Sequence, residues 1–271
     1  MSCCLMFHDV IGRFLANATG FQGSGPDRYK IRIELLEAVS TYIEQQGMPT
    51  ASDITEAICR SSVVLTFDDG GASMVEVAEV LERRGQRGWF FVTTDLIGTP
   101  GFLDGDAVRD LHVRGHVIGS HSASHPDPMR SLDGDQLRKE WLDSRDRLSD
   151  LCGAPIEAAA VPGGASSTSV ERAAFAAGYQ VLFDSRVSYS VRSRNGGSIL
   201  GRFAIHSHSS VLHVHRIIGR RSTTYMGMAI RQRFLDGSKR VLGPLYAPIR
   251  RGLLRTDRGR SVQSPHMDRN Q

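Results

Sequence analysis

The chain has 271 residues, of which 40% are hydrophobic and 23% charged, with a formal net charge of +4. That balance excludes wholesale disorder and collagen-like repeats, and no run approaches the roughly 18 apolar residues of a membrane-spanning helix. The charge is divided: residues 1–215 carry 26 acidic against 20 basic groups, net −6, whereas residues 216–271 carry 13 basic against three acidic, net +10.

An acidic body and a basic tail give no case for nucleic acid as a partner of the body. The four cysteines, Cys3, Cys4, Cys59 and Cys152, form no C-x-x-C pair, which argues against a thiolate zinc knot. The first ten residues have no basic n-region, and His8 and Asp9 interrupt their apolar stretch. The expectation is therefore a reducing, cytoplasmic setting.

In chain order, Leu5–Phe7 reads as a strand ending in His8-Asp9, and residues 13–29, rich in Gly and Pro, as a loop. Ile33, Leu36, Val39 and Ile43 recur at helical spacing within residues 30–46, and Asp53–Cys59 reads as a short helix capped by Ser52 or Asp53. Val63–Phe67 is a continuous β-prone run, suited to a strand buried on both faces. Helices at residues 74–84, 104–114, 133–151 and 168–177 then alternate with strands at residues 89–92, 116–119, 158–161 and 181–183. Such strand–loop–helix units predict a parallel sheet with helices outside, and they place the chemistry at the C-terminal strand ends. After Arg202 the pattern decays into one or two basic amphipathic helices around Pro244 and Pro248, with a disordered end.

Two patterns at those strand ends carry chemistry. In Thr66-Phe67-Asp68-Asp69-Gly70 two adjacent carboxylates repel, and a metal relieves the conflict by binding one and leaving the other as a base. The competing reading is a capped turn. In His121-Ser122-Ala123-Ser124-His125 two imidazoles four residues apart can face one ion from one side of a helical turn. Together they offer one carboxylate and two imidazoles with room for water, the ligand count of an open catalytic site.

These motifs resemble those of the polysaccharide deacetylase family, the NodB-homology domain of carbohydrate esterases. Leu5-Met6-Phe7-His8-Asp9-Val10, Phe90-Phe91-Val92-Thr93-Thr94-Asp95 and Gly115-His116-Val117-Ile118-Gly119-Ser120 add to the likeness, which covers about residues 5–205. The resemblance implies a distorted (β/α) barrel over residues 1–205, followed here by a basic helical tail at 206–271. It implies that Asp69, His121 and His125 hold one divalent metal, zinc first, with Co, Mn or Fe also accepted by such ligands. It makes Asp68 the base for a metal-activated water. The N–H of Gly163, in Val161-Pro162-Gly163-Gly164, becomes a donor to the tetrahedral oxyanion. The reaction implied is hydrolysis of N- or O-linked acetyl groups on a poly- or oligosaccharide.

Three departures bear on that reading. The family's third motif carries an Arg before the proline that orients the base, whereas Ala158-Ala159-Ala160-Val161 has none, leaving Arg186 or Arg202 as substitutes from elsewhere. Gly163 replaces the aromatic that walls the sugar site. The general acid is not marked clearly; His206 is the best candidate, with Asp184 either orienting it or serving as a plain turn carboxylate. His8-Asp9 reads equally as a structural pair or as a contact to the site. The alternatives are a catalytically impaired glycan-binding member and a metal-dependent amidase acting on a non-sugar substrate. The expected partner is an acetylated glycan or lipid-linked sugar; the basic tail reads first as a solvated amphipathic helix packed on the barrel, next as a contact with an anionic membrane at its inner face, and last as a nucleic-acid binder.

Overall fold

The computed structural model describes residues 2–242, with side chains up to Gln232. The expected helices around Pro244 and Pro248 and the expected disordered end lie outside the described residues. Strand β1 (Cys3–Phe7) leads through a two-residue β2 (Val10–Ile11) and a long loop to β3 (Ile31–Arg32), which pairs with β2. Helices α1 (Ile33–Gln45) and α2 (Ile54–Cys59) follow. The regular succession is then β4 (Val63–Phe67), α3 (Met74–Glu82), β5 (Gly88–Val92), α4 (Gly105–Val113), β6 (Val117–Ser120), α5 (Gly134–Cys152), β7 (Ala158–Ala160), α6 (Thr168–Ala176) and β8 (Val181–Asp184). Every element expected over residues 63–183 is present, within a residue or two at its ends.

The chain continues with a hairpin, β9 (Val191–Arg194) and β10 (Gly197–Gly201), and a short β11 (Phe203–Ala204). The nine-stranded sheet runs β11-β1-β4-β5-β6-β7-β8-β10-β9, parallel throughout except for β9. It curls into a half-barrel with helices around it, consistent with the expected distorted (β/α) barrel. The β9–β10 hairpin was not anticipated, although Asn195-Gly196 marks it: both residues have positive φ (52° and 83°), as a two-residue type I′ turn requires.

Side-chain alternation divides the sheet into two buried faces. Val64, Trp89, Phe91, Ala158, Ala160, Val181, Phe183 and Leu200 form one cluster, joined by Ala51 and Ala57 from around α2. The Trp89 indole N–H donates to the Ala51 carbonyl (2.8 Å), which ties α2 to the N-terminal side of the strands. On the opposite face the rings of Phe7, Phe67 and Phe90 meet with centroids 5.2 and 5.3 Å apart.

The compact unit runs beyond the expected boundary at 205, to Met226. Helix α7 (Val211–Ile218) is the cause. His215 stacks on Tyr42 of α1 (3.7 Å), and the Ile217 carbonyl accepts from Tyr189 (2.7 Å). The second unit covers Gly227–Gln271, and helix α8 spans Ser222–Leu242. Among the described residues no helix is long and apolar enough to cross a membrane.

Helix α5 starts with a capping box: the Asp133 carboxylate accepts from the Gln136 N–H (2.9 Å), and the Gln136 side chain accepts from the Asp133 N–H (3.0 Å). Asp133→Ala is expected to cost about 1 kcal/mol, read as a lower urea midpoint at constant slope.

Candidate active site

The first two carboxylates lie where β4 ends. Asp68 and Asp69 are only 2% and 6% exposed. Asp69 has φ 79°, a left-handed backbone that a non-glycine residue adopts at a cost of about 1–3 kcal/mol. The two side chains have different partners. Asp68 faces Arg202, whereas Asp69 faces two imidazoles.

Asp69 Oδ1 lies 3.4 Å from Nε2 of both His121 and His125. Nδ1–H of His121 donates to the Ala160 carbonyl (2.9 Å), so Nε2 is the nitrogen presented to Asp69. Burial would raise the Asp69 pKa, but hydrogen bonds from His121 and His125 and the nearby His8 hold it far below the carboxylate range. For His125, burial pulls the pKa down, yet the hydrogen bond and charge of Asp69 leave it raised. Ligand atoms of Asp69, His121 and His125 lie within 4.8 Å of one another. One oxygen and two imidazole nitrogens, converging without a basic side chain among them, fit a divalent ion with positions left for water.

The segment from His121 to His125 is a loop, not the helical turn that its spacing suggested. Left-handed backbone at Ser122 (φ 63°) and His125 (φ 60°) brings the two rings to a centroid distance of 5.0 Å. Hydrogen bonds fix that path. His125 N–H donates to Ser122 Oγ (3.1 Å), and Ser122 N–H to Ser120 Oγ (3.0 Å). Glu140 of α5 accepts from Ala123 N–H (3.0 Å), Ser124 N–H (2.9 Å) and Ser124 Oγ (2.6 Å). No sequence motif marks Glu140 for this role.

Asp68 is gripped from the far side of the sheet. Arg202, 1% exposed, donates Nη1–H to Oδ1 (2.6 Å) and Nη2–H to Oδ2 (2.8 Å). It also donates to Thr66 Oγ1 (3.2 Å) and the Asp184 carbonyl (3.3 Å), and its guanidinium lies over Phe91 and Phe183. Burial would raise the Asp68 pKa; Arg202, His121 and His8 overrule it and keep the carboxylate ionised. Of the two arginines considered from the sequence, Arg202 therefore pairs with this carboxylate, while Arg186 is exposed. The sequence signal was a single arginine inside the apolar run from Ile199 to Ile205.

Gly163 lies in the turn Pro162–Gly164 after β7, exposed and with φ 63°. A Cβ there would come 2.5 Å from Asp127 Oδ1, so a carboxylate occupies the space beside it. His206 packs in a row of rings, His8–Tyr29–His206–His208, with centroid spacings of 4.5, 4.8 and 5.3 Å. Tyr29 thus separates His206 from His8, and it is His8 whose charge bears on Asp68 and Asp69. Nδ1 of His8 is buried with no hydrogen-bond partner among the described residues. Asp184 pairs with Arg192 (2.5 Å) and accepts from Arg186 N–H (3.0 Å), so it is engaged away from His206. Asp9, also buried, accepts from Thr19 Oγ1 (2.5 Å) and Ser73 Oγ (3.0 Å), tying the loop after β2 to the start of α3.

The family model for polysaccharide deacetylases matches residues 56–182. The peptidoglycan-N-acetylglucosamine deacetylase PgdA of Listeria monocytogenes is 32% identical over 107 residues, 37% of this chain and 22% of that protein. An uncharacterized 30.6 kDa protein of Geobacillus stearothermophilus is 31% identical over 96 residues, 35% of this chain and 34% of its own length. The matched segments thus span about a third or less of these relatives. Among solved structures, the deacetylase PplD of Streptococcus pyogenes superposes with a TM-score of 0.68 at 20% identity, covering 80% of this chain and 97% of that one.

Proposed function

We propose that this chain, which belongs to the polysaccharide deacetylase family, is a metal-dependent hydrolase that removes acetyl groups from a poly- or oligosaccharide. The observation that carries the reading is the division of labour between the adjacent carboxylates. Asp69 faces two imidazoles, and Asp68, held by Arg202, stays ionised beside them. Asp69, His121 and His125 would hold the ion, for which zinc is the first choice. Such an ion lowers the pKa of bound water toward about 7 and polarises a carbonyl oxygen.

The remaining work belongs to the chain's own groups. Asp68 accepts the proton of the attacking water, and Arg202 fixes both of its oxygens so that the proton leaves in one direction. The Gly163 N–H donates to the oxyanion of the tetrahedral carbon. A proton must also reach the leaving amine or alkoxide. We assign it to His8, whose unpartnered Nδ1 and proximity to both carboxylates suit it better than His206, which stands behind Tyr29. The case for an impaired glycan-binding member rests on the missing third-motif arginine and on the unmarked general acid; Arg202 offers a guanidinium for the first, and His8 is our candidate for the second.

Asp68→Asn is expected to retain about one equivalent of divalent metal and to lose acetate release by about 10²–10⁴-fold, the usual worth of a general base. Metal analysis paired with an acetate assay on acetylated oligosaccharides tests this. Wild-type protein that binds metal yet releases no acetate from such a panel would overturn the deacetylase reading.

A further inference from the structure

Charge along the chain is most one-sided after β8. Residues 185–235 contain nine arginines and no acidic residue. Some of these arginines are spent inside the fold: Arg192 and Arg194 pair with Glu171, Arg192 also with Asp184, and Arg202 with Asp68. Arg216, Arg221 and Arg231 are exposed, and none of the three has a carboxylate partner among the described residues.

Arg221 immediately precedes α8 and Arg231 lies within it, and the two faces of that helix differ. Thr224, Tyr225, Met228, Ala229 and Gln232 are half-buried, and the Tyr225 ring lies 5.5 Å from that of Tyr189. On the other face Met226 and Ile230, one turn apart, are 59% and 63% exposed. In the sequence Phe234 and Val241 continue their spacing, with Arg233 and Arg240 next to them. An uncovered apolar stripe bordered by arginine is the pattern of a helix that lies in a lipid interface. The helix is not apolar enough to cross a bilayer, so the contact it suits is with the surface.

Helix α8 begins at the opposite end of the sheet from the catalytic residues. Arg220 donates Nη2–H to Ser61 Oγ (3.2 Å), and Cys3 Sγ–H donates to the Ile217 carbonyl (3.9 Å). Ser61 precedes β4 and Cys3 opens β1, whereas Asp68, Asp69 and His121 follow the C-terminal strand ends. Lipid at the first turn of α8 and a substrate at Asp68 therefore do not compete for one end of the sheet.

We propose that the exposed face of α8 docks on an anionic phospholipid bilayer, with Met226 and Ile230 entering the boundary between headgroups and acyl chains and Arg221 and Arg231 meeting lipid phosphates. Charge selects the partner: unpaired arginines call for an anionic surface, and each basic group near such a surface adds to the attraction. A second copy of the chain would bring the same arginines against them. The exposed groups of the stripe are aliphatic, which suits acyl chains, whereas a single-stranded nucleic acid is met by aromatic rings on which its bases stack.

Co-sedimentation of the full chain with lipid vesicles tests this, using phosphatidylcholine alone and phosphatidylcholine with about 30% phosphatidylserine. Binding is expected to the mixed vesicles only, and to weaken as salt rises from about 0.05 to 0.5 M. Met226→Gln/Ile230→Gln should weaken it by about tenfold or more, the effect of withdrawing two aliphatic side chains from the interface. Arg221→Gln and Arg231→Gln should each weaken it by about fivefold. All four positions are exposed, so the urea midpoints of these variants should match wild type, which separates docking from misfolding. Failure to bind the mixed vesicles, equal binding to both kinds, or binding unchanged in Met226→Gln/Ile230→Gln overturns the proposal. A dimer in sedimentation velocity, or retention of polyuridylate, that the same double variant abolishes and vesicles do not displace would assign the stripe to another partner and overturn it equally.

Discussion

Arg202→Met is expected to destabilise the metal-free protein by about 3–5 kcal/mol, because it strands a buried carboxylate whose bidentate partner it removes. In the wild type, burial of Asp68 is offset first by Arg202. Without the guanidinium, burial acts against little more than His121 and His8, and the group is driven toward its neutral form. Urea denaturation should therefore show Asp68→Asn/Arg202→Met to be more stable than Arg202→Met alone, since the double variant removes the stranded charge. The pH dependence follows from the sign of the shift. Asp68 is held below its unfolded value of about 3.9, so its contribution is present above that pH and is lost as pH falls through the lower folded pKa. Wild type should lose more stability on acidification than Arg202→Met does. Acetate release should fall by about 10²-fold, the scale of a misplaced catalytic group. Arg202→Lys should restore little, because a point charge cannot engage both oxygens. An Arg202→Met protein within about 1 kcal/mol of wild type would show that the pair does not hold the site together.

The parts of the molecule legible from sequence are those where one residue pattern answers one local requirement. Val63–Phe67 is β-prone throughout and apolar at all positions but Thr66 because β4 is buried on both faces, and Asp133 with Gln136 announces the start of α5 by capping alone. The convergence of Asp69, His121 and His125 was legible because Asp69 and His121 lie within two residues of a strand end and His125 follows four residues after His121. What escaped depends on distance in the chain. Arg202 meets Asp68 across 134 residues, and nothing within either segment encodes that meeting except an arginine in an apolar run. Glu140 reaches its three donors from a neighbouring helix. Phe21 comes from a segment that reads only as a loop, and its position over His125 depends on the Asp9, Thr19 and Ser73 contacts. The β9–β10 hairpin is a different case, since Asn195-Gly196 announced it in plain turn chemistry.

The other large effect concerns the ion. Loading the wild type with zinc at about 100 times its dissociation constant should add about 2.7 kcal/mol of stability, and a chelator should remove it, because only the folded chain brings the three ligands together. Asp69→Ala should abolish that gain and lower acetate release by about 10³-fold, the worth of several kcal/mol of charge stabilisation. The acid side of metal binding also has a definite sign. Asp69 raises the His125 pKa, so in the metal-free protein a proton competes for the ring, and zinc must displace it. Zinc affinity should therefore climb with pH across the titration of His125, with protons released on uptake in weakly buffered solution. His121→Ala separates ligation from a general effect of charge. Its ring presents Nε2 to the cluster through the bond from Nδ1–H to Ala160, so losing it should cost the metal while leaving the Asp68–Arg202 pair intact. Unchanged zinc stoichiometry in both Asp69→Ala and His121→Ala would place the ion elsewhere and dissolve the division of labour between the two carboxylates.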